Sequence, residues 1–350
     1  MIRGNTFDHP YYVVWMSFRF SKIIRNIGRW AVYALLPLIF ISCQKKEYSR
    51  EEAIRSLKVL NGDVSGFLTK AGEMEEMAAL RFLWDHDSLP LPFATEKFSA
   101  DQPWKPYDFN ASKGVYSLDS LRPVFLRKEE SHEVSLLFSG PEIPEGEFML
   151  KDYQAAEISS RPDFPLKLEA ELKLKGLKGE KRMTISHAAQ VSDDLPEAVN
   201  SSIKTEDSGV SFTLRRTRKK DDGTLFLQLD VEKKGFHFIR ADLNATIGYS
   251  SMGYYFKDIR FNIEVFSHLA TGFIRYGLID PTARDYAASF NAHSDIRLYE
   301  MPGKRLVGKL VLSKSPQGDL LDYFIRFKDG SLVPVSEYLP FLDRLLNLKI

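Results

Sequence analysis

The feature that most constrains the fold is a strict alternation of apolar and charged side chains in the middle of the chain. Between residues 166 and 175, leucine or alanine occupies every even position and lysine or glutamate every odd one. A period of two recurs at 210–214 and 225–231, on either side of a turn built around Asp221, Asp222 and Gly223. Because successive side chains of a strand point to opposite faces, these runs predict strands with one buried and one solvated face.

Further segments with strand composition surround these runs. They are residues 124–127, 133–138, 182–187, 236–247, 255–266, 295–299, 305–313 and 323–328. Strands that follow one another through short turns, without a regular βαβ rhythm, favour antiparallel pairing. The sequence therefore predicts an α+β, mainly antiparallel β fold, with about ten strands in one large sheet or sandwich.

Helical signals are concentrated at the two ends of the region that follows the leader. Ser49 begins a capping-box pattern, and apolar residues at helical spacing follow until Asn61-Gly62, which predicts one short helix. A second helix is predicted from Lys70 to Trp84, where Met74 and Met77 lie on a stripe that favours core packing. Leucines between residues 339 and 348 predict a C-terminal helix. The predicted organisation is a helical region at 49–86, a proline-rich linker at 87–110 and a β-rich domain at 111–350.

Composition excludes several functional classes. The 350 residues carry a formal net charge of +1, so no global charge favours nucleic-acid binding. A single cysteine excludes an internal disulfide framework and a cysteine-based zinc site. The sequence contains no GxSxG, Walker A, GxGxxG or HExxH motif, so we expect no cofactor and no recognisable catalytic machinery.

A leader precedes the only cysteine. Four basic residues between Arg19 and Arg29 are followed by the apolar stretch WAVYALLPLIFIS, which ends against Cys43. As a helix this stretch would be about 20 Å long, short of the roughly 20 residues that a bilayer span needs. A cleaved signal peptide at residues 1–42 is therefore predicted, and Met16 gives it a conventional length, which suggests that residues 1–15 are an over-extended gene start.

The run Phe40-Ile41-Ser42-Cys43 resembles the lipobox of bacterial lipoproteins, with phenylalanine at the position where leucine is usual. The resemblance covers about 25 residues. It implies that the Cys43 thiol is acylated, that the chain is cut before this residue, and that residues 43–48 tether the body to a membrane. The expected location is the cell envelope, most naturally the outer membrane of a Gram-negative bacterium.

One polar cluster is a weak candidate for a metal site. Asp85, His86 and Asp87 follow the second predicted helix, and two carboxylates beside an imidazole can bind a divalent cation or tune a base. Consecutive side chains cannot all point in one direction. A solvated helix terminus is the favoured interpretation of this cluster.

Aromatic residues supply the candidate ligand site. Tyr249, Tyr254, Tyr255 and Phe256 surround a glycine-containing turn. The proline-rich segment adds a second group, Trp104 and Tyr107. Exposed rings on loops can stack on sugars or anchor a protein partner, although covering the end of the core is the simpler role.

These features favour a non-catalytic envelope lipoprotein that binds a ligand or a partner, such as a glycan or another envelope protein. Two alternatives remain open. One is a carbohydrate- or peptide-directed hydrolase whose carboxylates are dispersed in the sequence, and the other is a carrier of apolar molecules within the envelope.

Overall fold

In the part of the chain that the structure describes, sixteen strands join into one sheet. The computed structural model describes residues 47–86, 89–92, 107–119, 124–140, 143–158, 161–176, 179–250, 253–315 and 321–340. The strands are β1 (Gly114–Leu118), β2 (Phe125–Glu129), β3 (Val134–Phe138), β4 (Gly146–Ile158), β5 (Arg161–Gly176), β6 (Gly179–Ser192), β7 (Leu195–Thr205), β8 (Ser208–Lys219), β9 (Asp222–Lys233), β10 (Phe236–Ser250), β11 (Gly253–Val265), β12 (His268–Ile274), β13 (Ser294–Glu300), β14 (Arg305–Lys314), β15 (Leu321–Arg326) and β16 (Leu332–Pro334). The prediction of a mainly β fold with helices is confirmed.

The sheet is a meander along most of its width. From β3 to β16 each strand pairs antiparallel with the next one in the chain. The exception lies at one edge, where β1 inserts between β2 and β3 and runs parallel to β3. The register of the alternating runs is regular, so Leu172 of β5 faces Met183 of β6 and both are buried.

The prediction of about ten strands was too low. It missed β1, β4, β7, β12 and β16, and the two longest of these, β4 and β7, lack the alternating signal. In β7, serine and asparagine occupy the centre of the strand, so both faces read as polar. In β4, the register shifts at three places against β5, which breaks the period of two. Backbone pairing with two neighbours holds both strands in the sheet despite their composition.

The first helix is longer than its sequence predicts. α1 spans Arg50–Gly72 and begins with the expected capping box between Ser49 and Glu52. The predicted end at Asn61-Gly62 was wrong, since the helix continues through it and buries Val64 one turn later. A glycine lowers helix propensity by only about 1 kcal/mol, which tertiary packing readily outweighs. The second helix, α2, spans Glu75–Trp84 and therefore begins later than predicted.

The two helices lie on separate parts of the sheet and cover separate cores. The first half of α1 buries Leu57 and Leu60 against residues of β14 to β16, including Ile325. α2 buries Ala79 and Leu83 against β3 to β6. The second half of α1 therefore crosses the strands between these two cores.

The remaining helices are short. They are α3 (Phe109–Ser112), a single 3₁₀ turn (Tyr276–Leu278), α4 (Tyr286–Ala292) and α5 (Val335–Tyr338). Most of the predicted C-terminal helix, residues 341–348, lies outside the described residues. Within the described ranges, no helix combines the length and the apolar character needed to cross a membrane.

The strands have two ends, and different turns lie at each of them. The chain reaches the sheet at Tyr48, whose backbone N–H donates to the carbonyl of Leu306 at the start of β14. The turns after β7, β9, β11 and β13 lie at this same end, which we call the Tyr48 end. The turns after β6 and β8 lie at the opposite end.

Candidate ligand cavity

An open cavity lies between the two cores, where the second half of α1 crosses the central strands. Its volume is about 560 Å³. One wall is the helical segment from Gly62 to Met77, and the other comes from β6 to β10 and the turn after β11. Ligand pockets in proteins have volumes of roughly 300–1,000 Å³, so the cavity has the size of a small-molecule site.

Three phenylalanines close one side of the cavity. The Phe67 ring on α1 stacks on Phe238, with 5.5 Å between ring centroids and 27° between ring planes. Phe266 meets both rings edge to face, at 6.0 Å from Phe67 and 5.5 Å from Phe238. Phe266 has a φ of 51°, a left-handed conformation that is unusual for a bulky residue. The local backbone therefore holds this ring against the cavity in an unfavourable conformation.

Methionine and aliphatic side chains form the rest of the apolar wall. Met77 of α2, Ile203 of β7 and Val210 of β8 all line the cavity, and each is 39% exposed. Met74 and Met183 line it as well. Methionine is flexible and polarisable, so it can adapt to apolar ligands of different shapes. Met74 and Met77 were predicted to pack in the core, but both line the cavity, whereas Ala79 and Leu83 of α2 are buried in the core.

Two glycines keep the helical wall thin. Gly62 and Gly66 are one turn apart on α1 and both line the cavity. An added Cβ at either position would meet no heavy atom within 4 Å. These glycines are therefore not required by close packing, although each weakens the helix relative to alanine.

Charged residues of both signs surround the opening. Asp63, Lys70, Glu232 and Lys233 line the cavity and are exposed to solvent. Two carboxylates and two ammonium groups leave no net charge. The mouth therefore offers no net attraction to an anion or a cation, and affinity would have to come from the apolar walls.

A second cluster joins α1 to the sheet beside the first core. The Ser56 hydroxyl donates to Glu300 Oε2, which also accepts from the Tyr48 hydroxyl at 2.9 Å. His268 Nε2 lies 2.8 Å from Ser56 Oγ, and its Nδ1 lies 3.2 Å from Ser267 Oγ. Because the Ser56 proton goes to the carboxylate, the imidazole donates to Ser56 through Nε2–H.

This arrangement is not that of an activated serine. A nucleophilic serine gives its proton to the imidazole, and the carboxylate orients the other ring nitrogen. Here Glu300 contacts Ser56 instead of His268, and both Ser56 and His268 are buried. The cluster is better described as a buried polar latch between α1, β12 and β13.

Burial and hydrogen bonding shift the titration of this latch. Burial lowers the pKa of His268 below its ordinary value, and the nearby carboxylates of Glu300 and Asp63 only partly oppose this. Burial opposes ionisation of Glu300, but hydrogen bonds from Ser56 and Tyr48 outweigh it and hold the pKa of Glu300 below its usual range. Neutral His268 and ionised Glu300 are the forms that fit the hydrogen bonds.

Tyr249, a predicted ligand residue, has a structural role. Its hydroxyl accepts from Arg216 Nη1 at 3.0 Å and donates to the Thr217 carbonyl at 3.3 Å. Arg216 is buried and also donates to the carbonyls of Ser192 and Leu195 at the turn after β6. This network closes the end of the sheet opposite Tyr48.

The other three residues of that aromatic group form a small surface cluster at the same end. Tyr254 and Tyr255 are exposed, whereas Phe256 is partly buried against the core around Ile247. Phe256 contacts Tyr254 edge to face at 6.0 Å and Tyr276 at 6.5 Å. Of these three residues, the two tyrosines present exposed ring surface.

The second aromatic group is only partly described. Tyr107 packs edge to face on Tyr153 at 5.2 Å, and its hydroxyl donates to the Pro90 carbonyl at 2.7 Å. Burial raises the pKa of the Tyr107 hydroxyl. Trp104 lies outside the described residues. Tyr107 therefore contributes to the core under α2.

Of the predicted metal cluster, the structure describes Asp85 and His86. Asp85 is the exposed C-cap of α2, while His86 Nδ1 donates to the Phe82 carbonyl at 2.7 Å and its ring packs on Phe82 and Phe125. Asp87 lies outside the described residues, as does Cys43. Within the described part of the chain, no three histidine, cysteine or carboxylate side chains are grouped as metal ligands.

The cavity residues were missed because no single segment carries them. The available signal was the glycine pair at positions 62 and 66, which is spaced by one helical turn inside an amphipathic pattern. Asn61-Gly62 alone predicts the end of a helix, so the spacing of the pair was missed. Comparison with known proteins adds no assignment, since no protein-family model, curated protein or solved structure matches this chain.

Proposed function

We propose that this protein is a lipid-anchored envelope protein of a Gram-negative bacterium whose β-rich body binds an apolar molecule without catalysis. The observation that carries the proposal is the apolar cavity of about 560 Å³ between α1 and the central strands. Of the functions considered from the sequence, carrying an apolar molecule is the one that this cavity supports best.

The cavity is better explained as a binding site than as an imperfect core. Close-packed interiors leave few voids larger than a water molecule. The clusters on either side of the cavity bury their apolar residues almost completely. Between them, Met77, Ile203 and Val210 keep apolar surface in water. Covering apolar surface contributes about 25 cal/mol per Å², so an apolar ligand would be stabilised there.

The walls also indicate the chemical class of the ligand. Three aromatic rings and three methionines supply adaptable apolar contacts, and the charges at the mouth cancel. A neutral or zwitterionic molecule with a long apolar portion, such as an acyl or isoprenoid chain, fits this lining. A glycan would need more hydrogen-bonding groups inside the cavity than the lining supplies.

The hydrolase alternative with dispersed carboxylates stays a prediction, and a serine-based hydrolase receives less support. Ser56, His268 and Glu300 form a cluster of serine, histidine and carboxylate, and its hydrogen bonds direct the serine proton away from the imidazole. That geometry stabilises helix attachment and does not create a nucleophile.

Photolabelling of the purified, membrane-derived mature protein tests the proposal. The probe is a diazirine-bearing hexadecanol, and the adducts are mapped by mass spectrometry. Gly62→Leu combined with Gly66→Leu places two side chains in open cavity space. Loss of even 1.4 kcal/mol of ligand binding is about tenfold in affinity, so we expect about tenfold less labelling of the cavity walls.

The matched control places the same two leucines one turn apart on the solvent side of α1. Ser65 and Thr69 are exposed and do not line the cavity. Ser65→Leu combined with Thr69→Leu should label like the wild type. Equal labelling of the wild type and the glycine variant, or adducts confined to peptides outside the cavity, would overturn the proposal.

A further inference from the structure

We propose that the Tyr48 end of the sheet lies on the surface of a zwitterionic lipid bilayer, with Phe236 inserted, so that the cavity opens towards the membrane. This inference rests on the proposed function, because it identifies where the apolar ligand enters. It follows from three observations: the position of Phe236, the position of the cavity, and the place where the chain reaches the sheet.

Phe236 is presented at the tip of a hairpin. It is 73% exposed, the largest exposed fraction among the large apolar side chains of the described residues. The two-residue turn before it, Lys234-Gly235, has positive φ at both positions, which matches the twist of a tight hairpin. The Lys234 backbone N–H donates to the Asp207 carbonyl at 2.7 Å, which ties this turn to the neighbouring one. The exposed ring is therefore held in place by the backbone.

The same hairpin forms part of the cavity wall. Val231 and Lys233 precede the turn and Phe238 follows it, and all three line the cavity. Phe238 in turn stacks on Phe67 of α1. An apolar molecule that passes from a bilayer beside Phe236 thus reaches the cavity within one hairpin, without crossing the polar face of the sheet.

The chain reaches the sheet at this end. Tyr48 pairs with the start of β14, beside the turn after β13. Cys43 precedes Tyr48 by five residues in the sequence, and five residues of extended chain span at most about 18 Å. An acylated Cys43 therefore restricts the Tyr48 end, and with it the Phe236 hairpin, to the neighbourhood of the bilayer.

The charges around the tip favour a zwitterionic surface over an anionic one. Lys234 forms an ion pair with Asp207 at 3.3 Å, and His237 Nδ1 lies 2.8 Å from Asp230. Lys233 has Glu232 as its neighbour in the sequence, and both are exposed. The basic groups of the tip thus have acidic counterparts, and the apolar ring supplies the contact.

Site-specific fluorescence tests this orientation in the mature protein. The chain has one cysteine, and acylation consumes its thiol, so Phe236→Cys provides a single site for an environment-sensitive dye. The protein is reconstituted into phosphatidylcholine vesicles with or without nitroxide-labelled acyl chains. We expect the dye at position 236 to shift to shorter wavelength and to lose at least half of its emission to the nitroxide.

Tyr255→Cys is the matched control. Tyr255 is 51% exposed and pairs with Gly248 in β10, roughly 40 Å from Phe236 at 3.3 Å per residue. Its dye should respond to neither the vesicles nor the nitroxide. Equal responses at both sites, or no response at position 236 while Cys43 is acylated, would overturn the orientation alone. Dye uptake by the unsubstituted mature protein would reveal a free Cys43 thiol and overturn the anchor together with the orientation.

Discussion

Replacing the two cavity glycines of α1 with alanine should stabilise the protein. Gly62 and Gly66 lie inside a 23-residue helix, and an added Cβ at either site has no heavy atom within 4 Å. Alanine is more favourable than glycine in a helix interior by about 0.8–1.0 kcal/mol. The two changes share no partner, so together they should raise the free energy of unfolding by about 2 kcal/mol.

Thermal unfolding followed by circular dichroism measures this effect. Unfolding entropy is roughly 2.1 cal/mol/K per residue, so a body of roughly 300 residues changes by about 0.6 kcal/mol per degree. A gain of about 2 kcal/mol therefore raises the melting temperature by about 3 °C. The single variants should each give about half of this shift.

A third glycine provides the opposite control. At Gly272 of β12, an added Cβ would lie 2.2 Å from the Asp295 carbonyl oxygen and 2.8 Å from Ile296 Cα. Gly272→Ala should therefore lower the melting temperature. If Gly62→Ala or Gly66→Ala destabilised the protein as Gly272→Ala does, the face of α1 would be packed, and the reasoning about an open cavity would be refuted.

The same two alanines should reduce photolabelling of the cavity. The predicted combination of higher stability and weaker binding is typical of positions that serve function at the expense of stability. It separates a functional cavity from a packing defect, because filling a defect would increase stability without affecting any ligand.

Two further predictions concern the latch and the anchor. Unfolded His268 and Glu300 bind protons below about pH 6.5 and 4.5, whereas both folded pKa values are lower, so stability should fall as pH drops from 6.5 to below 4.5. Urea unfolding at several pH values measures this dependence. His268→Gln should reduce the loss of stability in the upper part of this pH range. An unchanged dependence of stability on pH in this variant would contradict the role given to His268. Cys43→Ala should move the protein from the detergent phase to the aqueous phase on phase separation, and retention in the detergent phase would exclude a lipid anchor.

The local sequence was sufficient to predict many of the strands, but not the number of strands in the sheet. The alternating run at 166–175 predicts β5 because a half-buried strand requires that period. The polar centre of β7 carries no such signal, and its place in the sheet is decided by hydrogen bonds to β6 and β8. A strand is stabilised by hydrogen bonds to its neighbours as well as by its own side chains. Composition alone therefore underestimates the number of strands.

Functional residues were harder to predict from the sequence than the strands. The aromatic residues at 249–256 were predicted as one group, but Tyr249 is engaged by Arg216, which lies 33 residues away in sequence. No local pattern indicates such a partner. Conversely, Met77 belongs to a stripe that reads as core, and only the position of the helix over the sheet leaves it facing open space.

The sequence by itself determined that this chain forms a largely antiparallel sheet with amphipathic helices, and it predicts a lipid-attached cysteine. Tertiary structure decided that α1 continues through Asn61-Gly62, that its second half bridges two cores, and that a cavity lies beneath it. The physical reason is that strand and helix periods depend on neighbouring residues. A cavity depends on where distant elements fail to meet, and that is set by packing across the whole sheet.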